Sequence, residues 1–360
     1  MKFVGVDLHK KTITVAVVDA ARKMLSRKRF SNLMSEQIVQ FLKTLGEFQL
    51  TVEATASYEW FVQLVEPLAS RIVLAHPGKL RVIAESTRKS DKLDAKVLAE
   101  MLALDQIPAS YRPTPRQRDH RQLVRHRQFW QRKITGVRNK IRRILSNYNL
   151  DRPDLFTVDG QEWLQSAAVT AAVSAIDRFC IDQLSTEWND LVKRLKETEQ
   201  KLREFAKEGS DQEQFDRAIL RTVPGVGVVT SEVILAELAD SRRFSSLKKV
   251  VAYAGLAPGQ RESAGKRKNL HIEKTGSPLL RWVLVQAAWQ LVMRSPKWRT
   301  IYENLKGRIG AKKAITAVTR RLLTICVTLL KRQDVYREII PSPASAAREP
   351  VSPAHATTHT

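Results

Sequence analysis

The sequence predicts an α/β domain at its amino-terminal end followed by long helices, and three observations carry that expectation. Two short runs rich in Val, Ile and Thr, Phe3 to Asp7 and Thr12 to Val18, flank the polar turn Leu8 to Lys11. Branched side chains fit a pleated backbone, so the pair reads as an antiparallel hairpin. Farther on, strand-like and helix-like segments alternate, the pattern of a mixed sheet covered by helices. Beyond about residue 115 the apolar period changes to alternating threes and fours, which only helices sustain.

Taken in order, Met24 to Phe30 extends the hairpin as a third strand. Ser31 or Ser35 can cap a helix running through Leu45; Phe48 to Val52 is a strand, Tyr58 to Ser70 a helix, and Arg71 to Ala75 a fifth strand stopped by His76, Pro77 and Gly78. This meander-then-alternation is the pattern of ribonuclease H-like domains, expected over residues 1–112.

Residues 116–148 carry eleven Lys or Arg against one acid, Asp119, with Leu123, Trp130, Ile134, Val137, Ile141, Ile144 and Tyr148 as an apolar seam. A second seam, Leu184, Trp188, Leu191, Leu195, Leu202 and Phe205 with Thr198 as its polar member, makes a coiled-coil region of residues 113–214. Periodicity leaves open whether the two helices pair within one chain or between chains. Residues 215–337 read as mostly helical, interrupted by a Gly, Ser and Lys-rich loop between Gly255 and Pro278. Residues 338–360, rich in Pro, Ala, Ser and Thr, read as a disordered tail.

The chain has 360 residues, 43% of them hydrophobic, enough for a sizeable core. Its 61 Lys and Arg outnumber 37 Asp and Glu, a net charge of +24, so a polyanion is the expected partner. No apolar run approaches the roughly 18 residues of a spanning helix and no signal peptide opens the chain, so a cytoplasmic protein without membrane contact is expected. Two distant cysteines, Cys180 and Cys326, suggest neither disulfide nor zinc.

Four acids stand out. Asp7 and Glu53 end two apolar strands, where carboxylates are poor formers; Asp91 and Asp94 are three apart at a helix start and share its face. Singly, each has an ordinary explanation: Asp7 opens the turn with His9, and Asp91 is a helix cap. Together they can converge, and four adjacent carboxylates need cations to be tolerated. Two magnesium ions roughly 3.5–4 Å apart would activate an attacking oxygen and stabilise a leaving one at phosphorus. In a basic chain this suggests phosphodiester chemistry.

Downstream, Pro224-Gly225-Val226-Gly227 between two helices has the form of a helix-hairpin-helix turn, in which Gly225 and Gly227 would bare amides to a phosphate. A plain interhelical turn fits the same residues. Ser263, flanked by Arg261, Lys266, Arg267 and Lys268, is either polar loop filler or a nucleophile stabilised by those cations.

The order and spacing of Val4-Gly5-Val6-Asp7-Leu8-His9-Lys10, Val52-Glu53-Ala54-Thr55, Ser90-Asp91-Lys92-Leu93-Asp94-Ala95, Val223-Pro224-Gly225-Val226-Gly227 and Ala252-Tyr253-Ala254-Gly255-Leu256 through Ser263 resemble the insertion sequence 110 family of transposases. The resemblance implies a RuvC-like nuclease domain with Asp7, Glu53, Asp91 and Asp94 as its DEDD acids, then a coiled coil and a transposase domain. It further implies that Ser263 is a nucleophile forming a transient phosphoserine link to DNA, although Ala264 stands where the family usually has Gly. A structured bridge RNA as guide, dimers and tetramers, active sites combining domains of different subunits, and work at a prokaryotic nucleoid are implied as well. Two alternatives stay open on the residues alone: a structure-specific nuclease of Holliday junctions that uses water, and a non-catalytic nucleic-acid-binding protein.

Overall fold

A computed structural model describes residues 1–55, 57–80, 95–263 and 266–338, and the side chains of 260–263 and 266–270 lie outside that description. Internal contacts divide the chain into two units, Met1–Pro113 and Thr114–Thr360.

The first unit is built on a five-stranded sheet in the order β3-β2-β1-β4-β5. Strands β1 (Lys2–Leu8), β2 (Thr12–Val18) and β3 (Met24–Ser31) form an antiparallel meander; β4 (Phe48–Glu53) and β5 (Arg71–Ala75) add in parallel on the other side of β1. Both sheet faces are covered, which is why β1, β2 and β4 are buried almost throughout. Val4, Val6, Ile13, Val15, Leu50 and Val52 meet helices α1 (Ser35–Lys43) and α2 (Glu59–Val65). Helix α3 (Ala95–Ala103) covers the opposite face, against β1, β2 and β4.

Two expectations change here. Helix α1 begins at Ser35, but no side chain caps it, and it stops at Lys43; the Ser31 hydroxyl instead accepts a hydrogen bond from Leu33 N–H at 3.3 Å. Helix α2 ends at Val65, not Ser70, because Pro67 has no N–H with which to continue the helical ladder.

The second unit opens with α4 (Pro115–Ser146), whose start is fixed by a capping box: Thr114 Oγ1 accepts from Gln117 N–H, and the Gln117 side chain accepts from Thr114 N–H. After short helices α5 (Val158–Leu164) and α6 (Ala167–Ala172), α7 (Ala175–Lys207) packs along α4. The two seams therefore pair within the chain, burying Ile134, Val137, Ile141 and Leu145 with Ile181 and Leu191. Thr198 is tolerated at its buried position because its hydroxyl donates to Arg194 O at 2.8 Å.

Helices α8 (Asp211–Arg221), α9 (Val228–Leu238), α10 (Leu247–Tyr253), α11 (Pro278–Arg294), α12 (Pro296–Ile309) and α13 (Ala311–Arg332) build the remaining core. The expected loop between Gly255 and Pro278 is mostly an antiparallel hairpin, β6 (Pro258–Ser263) with β7 (Lys266–Ile272). Its polar composition hid it, since Gln, Arg, Lys and Asn blur the alternation that marks a half-buried strand. Burial pushes the Cys326 thiol up to about 12, so this residue is a packed thiol. No helix among the described residues is long and apolar enough to cross a membrane.

Candidate active site

Strands β1 and β4 run parallel in register from Lys2 with Phe48 to Val6 with Val52. Asp7 and Glu53 are each the next residue along. Because successive side chains alternate faces, Gly5 and Asp7 share one face with Thr51 and Glu53, while Val4, Val6, Leu50 and Val52 point into the α1–α2 core. Both acids thus stand at the carboxyl ends of neighbouring parallel strands, where open α/β sheets bind ligands.

Helix α3 lies on this face at close range. A Cβ at Gly5 would fall into the backbone at Ala95 O and Ala99 N and come within 3.0 Å of Leu98 Cβ. Only glycine lets the start of α3 sit directly on β1, one same-face position below Asp7. Thr51, opposite Gly5, is fully buried; Asp7 keeps 26% of its side chain exposed and Glu53 is half-buried. The sheet is sealed under α3 and open at its acidic rim.

The Asp7 carboxylate faces His9 Nε2 at 3.0 Å. The sequence offered His9 only as a turn residue, and the strand-turn spacing that brings it back beside Asp7 was the available signal. Asp91 and Asp94 lie outside the described residues; Asp94 is covalently joined to Ala95, the first residue of α3. Among the described residues no group of three metal-ligating side chains gathers. Asp7 and Glu53 nonetheless fit a divalent cation: they are hard oxygen donors on one face, at least partly open to solvent.

In the second unit, Ser263 pairs with Lys266 as the last register pair of the β6–β7 hairpin, with Arg261 opposite Lys268 and Glu262 opposite Arg267. The contacts of these side chains lie outside the described residues, as do Ala264 and Gly265. Gly227 caps α9 without a side chain, and the first intrahelical bond runs from Ser231 N–H to Gly227 O at 2.9 Å, so the amides of Val228, Val229 and Thr230 precede it. Gly225 has a packing reason: its φ is +85°, and a Cβ would approach Ala287 O at 2.6 Å and Leu291 N at 2.9 Å.

Buried charges that the sequence reading passed over fix α4 to α8 and α9. Glu232, 1% exposed, meets His120 Nε2 at 2.9 Å and accepts from Arg217 Nε at 3.0 Å. Burial pushes the Glu232 carboxyl up, but the His120 contact and the Arg217 guanidinium outweigh it, and the net shift is downward. Glu237 accepts both Arg125 Nε and a terminal Arg125 nitrogen, at 2.9 and 3.0 Å. Arg116 does the same to Glu213, holding that carboxyl below its ordinary range. A glutamate inside the apolar helix VVTSEVILAEL was the visible signal.

Two family models match this chain in turn. One, a DEDD-type model described as "Transposase", covers residues 4–150, and another, described as "Transposase IS116/IS110/IS902 family", covers residues 217–303. The chain is by class a DNA transposase or recombinase. More narrowly, it belongs to the IS116/IS110/IS902 family of transposases. It is 24% identical over 347 residues to the transposase for insertion sequence element IS1111A of Coxiella burnetii, spanning 94% of this chain and 92% of that protein. It is 25% identical over 291 residues to the transposase for insertion sequence element IS1328 of Yersinia enterocolitica, spanning 79% and 82%. The DEDD-type match points to dependence on a divalent metal.

Proposed function

We propose that the chain cleaves and rejoins DNA strands during insertion-sequence transposition, with Asp7, Glu53, Asp91 and Asp94 as the metal-holding quartet of a RuvC-like, ribonuclease H-like domain. The observation that carries this reading is the alignment of Asp7 with Glu53 on the face where Ala95 closes on Gly5. The 3-2-1-4-5 strand order, antiparallel then parallel, supports it.

A divalent cation, magnesium in this reading and two per site, would polarise the scissile phosphate and lower the proton affinity of the attacking oxygen. The four acids orient that charge. His9 positions the Asp7 carboxylate through their 3.0 Å contact. Ser263 is the nucleophile: its Oγ forms a phosphoserine ester as the sugar oxygen leaves phosphorus and takes up a proton, and a second strand's hydroxyl then displaces the serine. Each step exchanges one P–O bond for another, so no external energy source is needed. Arg261, Lys266, Arg267 and Lys268 neutralise the phosphate, and the α9 amino terminus beside Gly225 and Gly227 holds backbone phosphates.

The same reading takes residues 1–112 as the nuclease domain, 113–214 as the coiled-coil arm and 215–337 as the transposase domain, acting in the cytoplasm at the nucleoid. A structured bridge RNA guides it, and the working form is a dimer or tetramer. Because α4 and α7 bury their seams on each other, contacts between copies through the arm fall on outer faces, where Phe129, Ile176 and Phe179 are exposed.

Trapping protein–DNA adducts with element-end DNA tests the serine. Wild type is expected to yield a covalent adduct and Ser263→Ala none; cleavage by Ser263→Ala with water as nucleophile would overturn the role.

A further inference from the structure

The basic helix α4 has two unlike halves. In the first, Arg116, Arg125 and Arg127 are tied to Glu213, Glu237 and Glu199 at 2.7–2.9 Å. Those cations hold the unit together. In the second half, Arg132, Lys133, Arg138, Lys140 and Arg143 form no ion pair among the described residues, and all but Arg138 are exposed.

Arg138 is the unusual one. Its guanidinium lies 4.7 Å from the Phe156 ring centre and 5.6 Å from that of Trp188. Its Nε is buried and has no hydrogen-bond partner. Burial and the neighbouring Arg142 both disfavour its charge, and no acid among the described residues compensates. Leaving a partly desolvated charge unmatched is costly, and Arg217, the fully buried arginine of this unit, has Glu232 against it. Arg142 differs too, since it donates to Asp151 at 3.1 Å and to Pro153 O at 3.1 Å.

Arg138 and Arg142 line a polar cavity of about 350 Å³ with Thr135, Asn139, Phe156 and Thr157. Its donors are guanidinium, amide and hydroxyl groups, and the Phe156 ring packs beneath the two guanidinium groups. Such a set suits the phosphate of a nucleic-acid strand, since the guanidinium fork matches phosphate oxygens and the amide and hydroxyl groups can donate to the remaining oxygens. Thr135, Arg138, Asn139 and Arg142 follow helical spacing and share one face of α4, whereas the exposed cations of the same half-helix lie on its other faces.

We propose that this pocket binds a phosphodiester of a nucleic-acid strand, with Arg138 as the group that the ligand neutralises. The site is a docking point on the helical arm of the second unit, built from residues other than the strand-end acids. It does not rest on the strand-transfer reading, and it is measured without divalent cation so that its failure leaves that chemistry untouched.

The test is fluorescence anisotropy of the full chain with labelled single-stranded RNA, single-stranded DNA and duplex DNA of one sequence, over a salt series. Arg138→Gln is expected to weaken binding about tenfold, as loss of a charge-assisted contact does, and to flatten the salt slope by roughly 0.7–0.9. Lys140→Gln, an exposed cation of the same helix outside the pocket, is expected to change binding far less. Arg138→Lys should restore much of the affinity. Loss confined to one probe supports the site and identifies the strand it takes.

Since no acid among the described residues pairs with Arg138, Arg138→Gln should leave the unfolding midpoint unchanged or raise it. Should it lower the midpoint, Asn139→Asp supplies the second test, placing a carboxylate at the pocket while keeping Arg138, and it too must weaken binding. Arg138→Gln binding every probe like wild type, or no more weakly than Lys140→Gln, would overturn the proposal. So would Asn139→Asp at wild-type affinity.

Discussion

Asp7 and Glu53 lie on adjacent parallel strands, each one residue past the last register pair, Val6 with Val52. Two carboxylates on one face at neighbouring strand ends repel unless a cation lies between or beside them. The strand register, not a loop, sets their spacing, and rigid elements hold catalytic groups more accurately than loops do.

The floor of that rim is Gly5. Gly5→Val places side-chain atoms where Ala95 O and Ala99 N stand, so α3 must move. Overpacking against backbone is expected to destabilise the first unit by upward of about 3 kcal/mol, read as a lower denaturant midpoint, and to abolish strand cleavage. A midpoint equal to wild type would mean that α3 does not rest on β1.

Glu232 anchors the second unit. Glu232→Ala leaves Arg217, 2% exposed, with only the longer 3.5 Å contact to Glu213 and leaves His120 without its partner, and breaking a buried pair from one side costs about 3–5 kcal/mol. Chemical denaturation should report a loss of that order, whereas the exposed Lys306–Glu303 pair should be nearly neutral when broken.

The same acids set a pH response. Glu232 and Glu213 both titrate below the ordinary 4.5 in the folded state. Groups with depressed folded values contribute stability that is fully present above their unfolded value and is lost as pH falls through the folded one. Thermal stability of the second unit should therefore hold from neutrality down to about pH 5 and decline below about 4.5, and Glu232→Gln should reduce the steepness of that decline.

Much of this was legible in the sequence, for physical reasons that differ by element. Strands β1, β2, β4 and β5 announced themselves because β-branched runs bounded by turn residues have few other uses, while β3, with no β-branched residue, was legible only as an extension of the hairpin; Asp7 and Glu53 were conspicuous as acids ending two of the apolar runs. Helix α4 was legible from its seam and its basic run. The β6–β7 hairpin was not, because Arg, Lys, Gln and Asn disguise strand periodicity. Nor was the division of the basic helix, since Arg125 and Arg138 look alike until Glu237 is found against one and only the Phe156 and Trp188 rings, with no acid among the described residues, against the other. The pairing of the two seams within the chain needed three dimensions, as heptads do not state their partner.

Gly225 separates packing from phosphate binding. Its φ is +85°, and the α11 backbone stands 2.6 Å from where a Cβ would be, so Gly225→Ala is expected to cost about 1–3 kcal/mol. Gly227, with nothing within 4 Å of its Cβ position, should tolerate Ala within about 1 kcal/mol. Comparing both variants by thermal melt and by duplex-DNA affinity checks this: a stability loss at Gly225 alone is the expected result.

The central assignment is tested most directly by divalent-dependent cleavage of element-end DNA with Asp7→Asn and Glu53→Gln. Each change removes a negative charge and conserves shape at a partly open position, so folding should alter by no more than about 0.5 kcal/mol. Each is expected to lower the cleavage rate on the order of a hundredfold or more, with DNA affinity retained in the absence of metal. Wild-type cleavage by either folded variant would contradict the assignment of Asp7 and Glu53 to the active site.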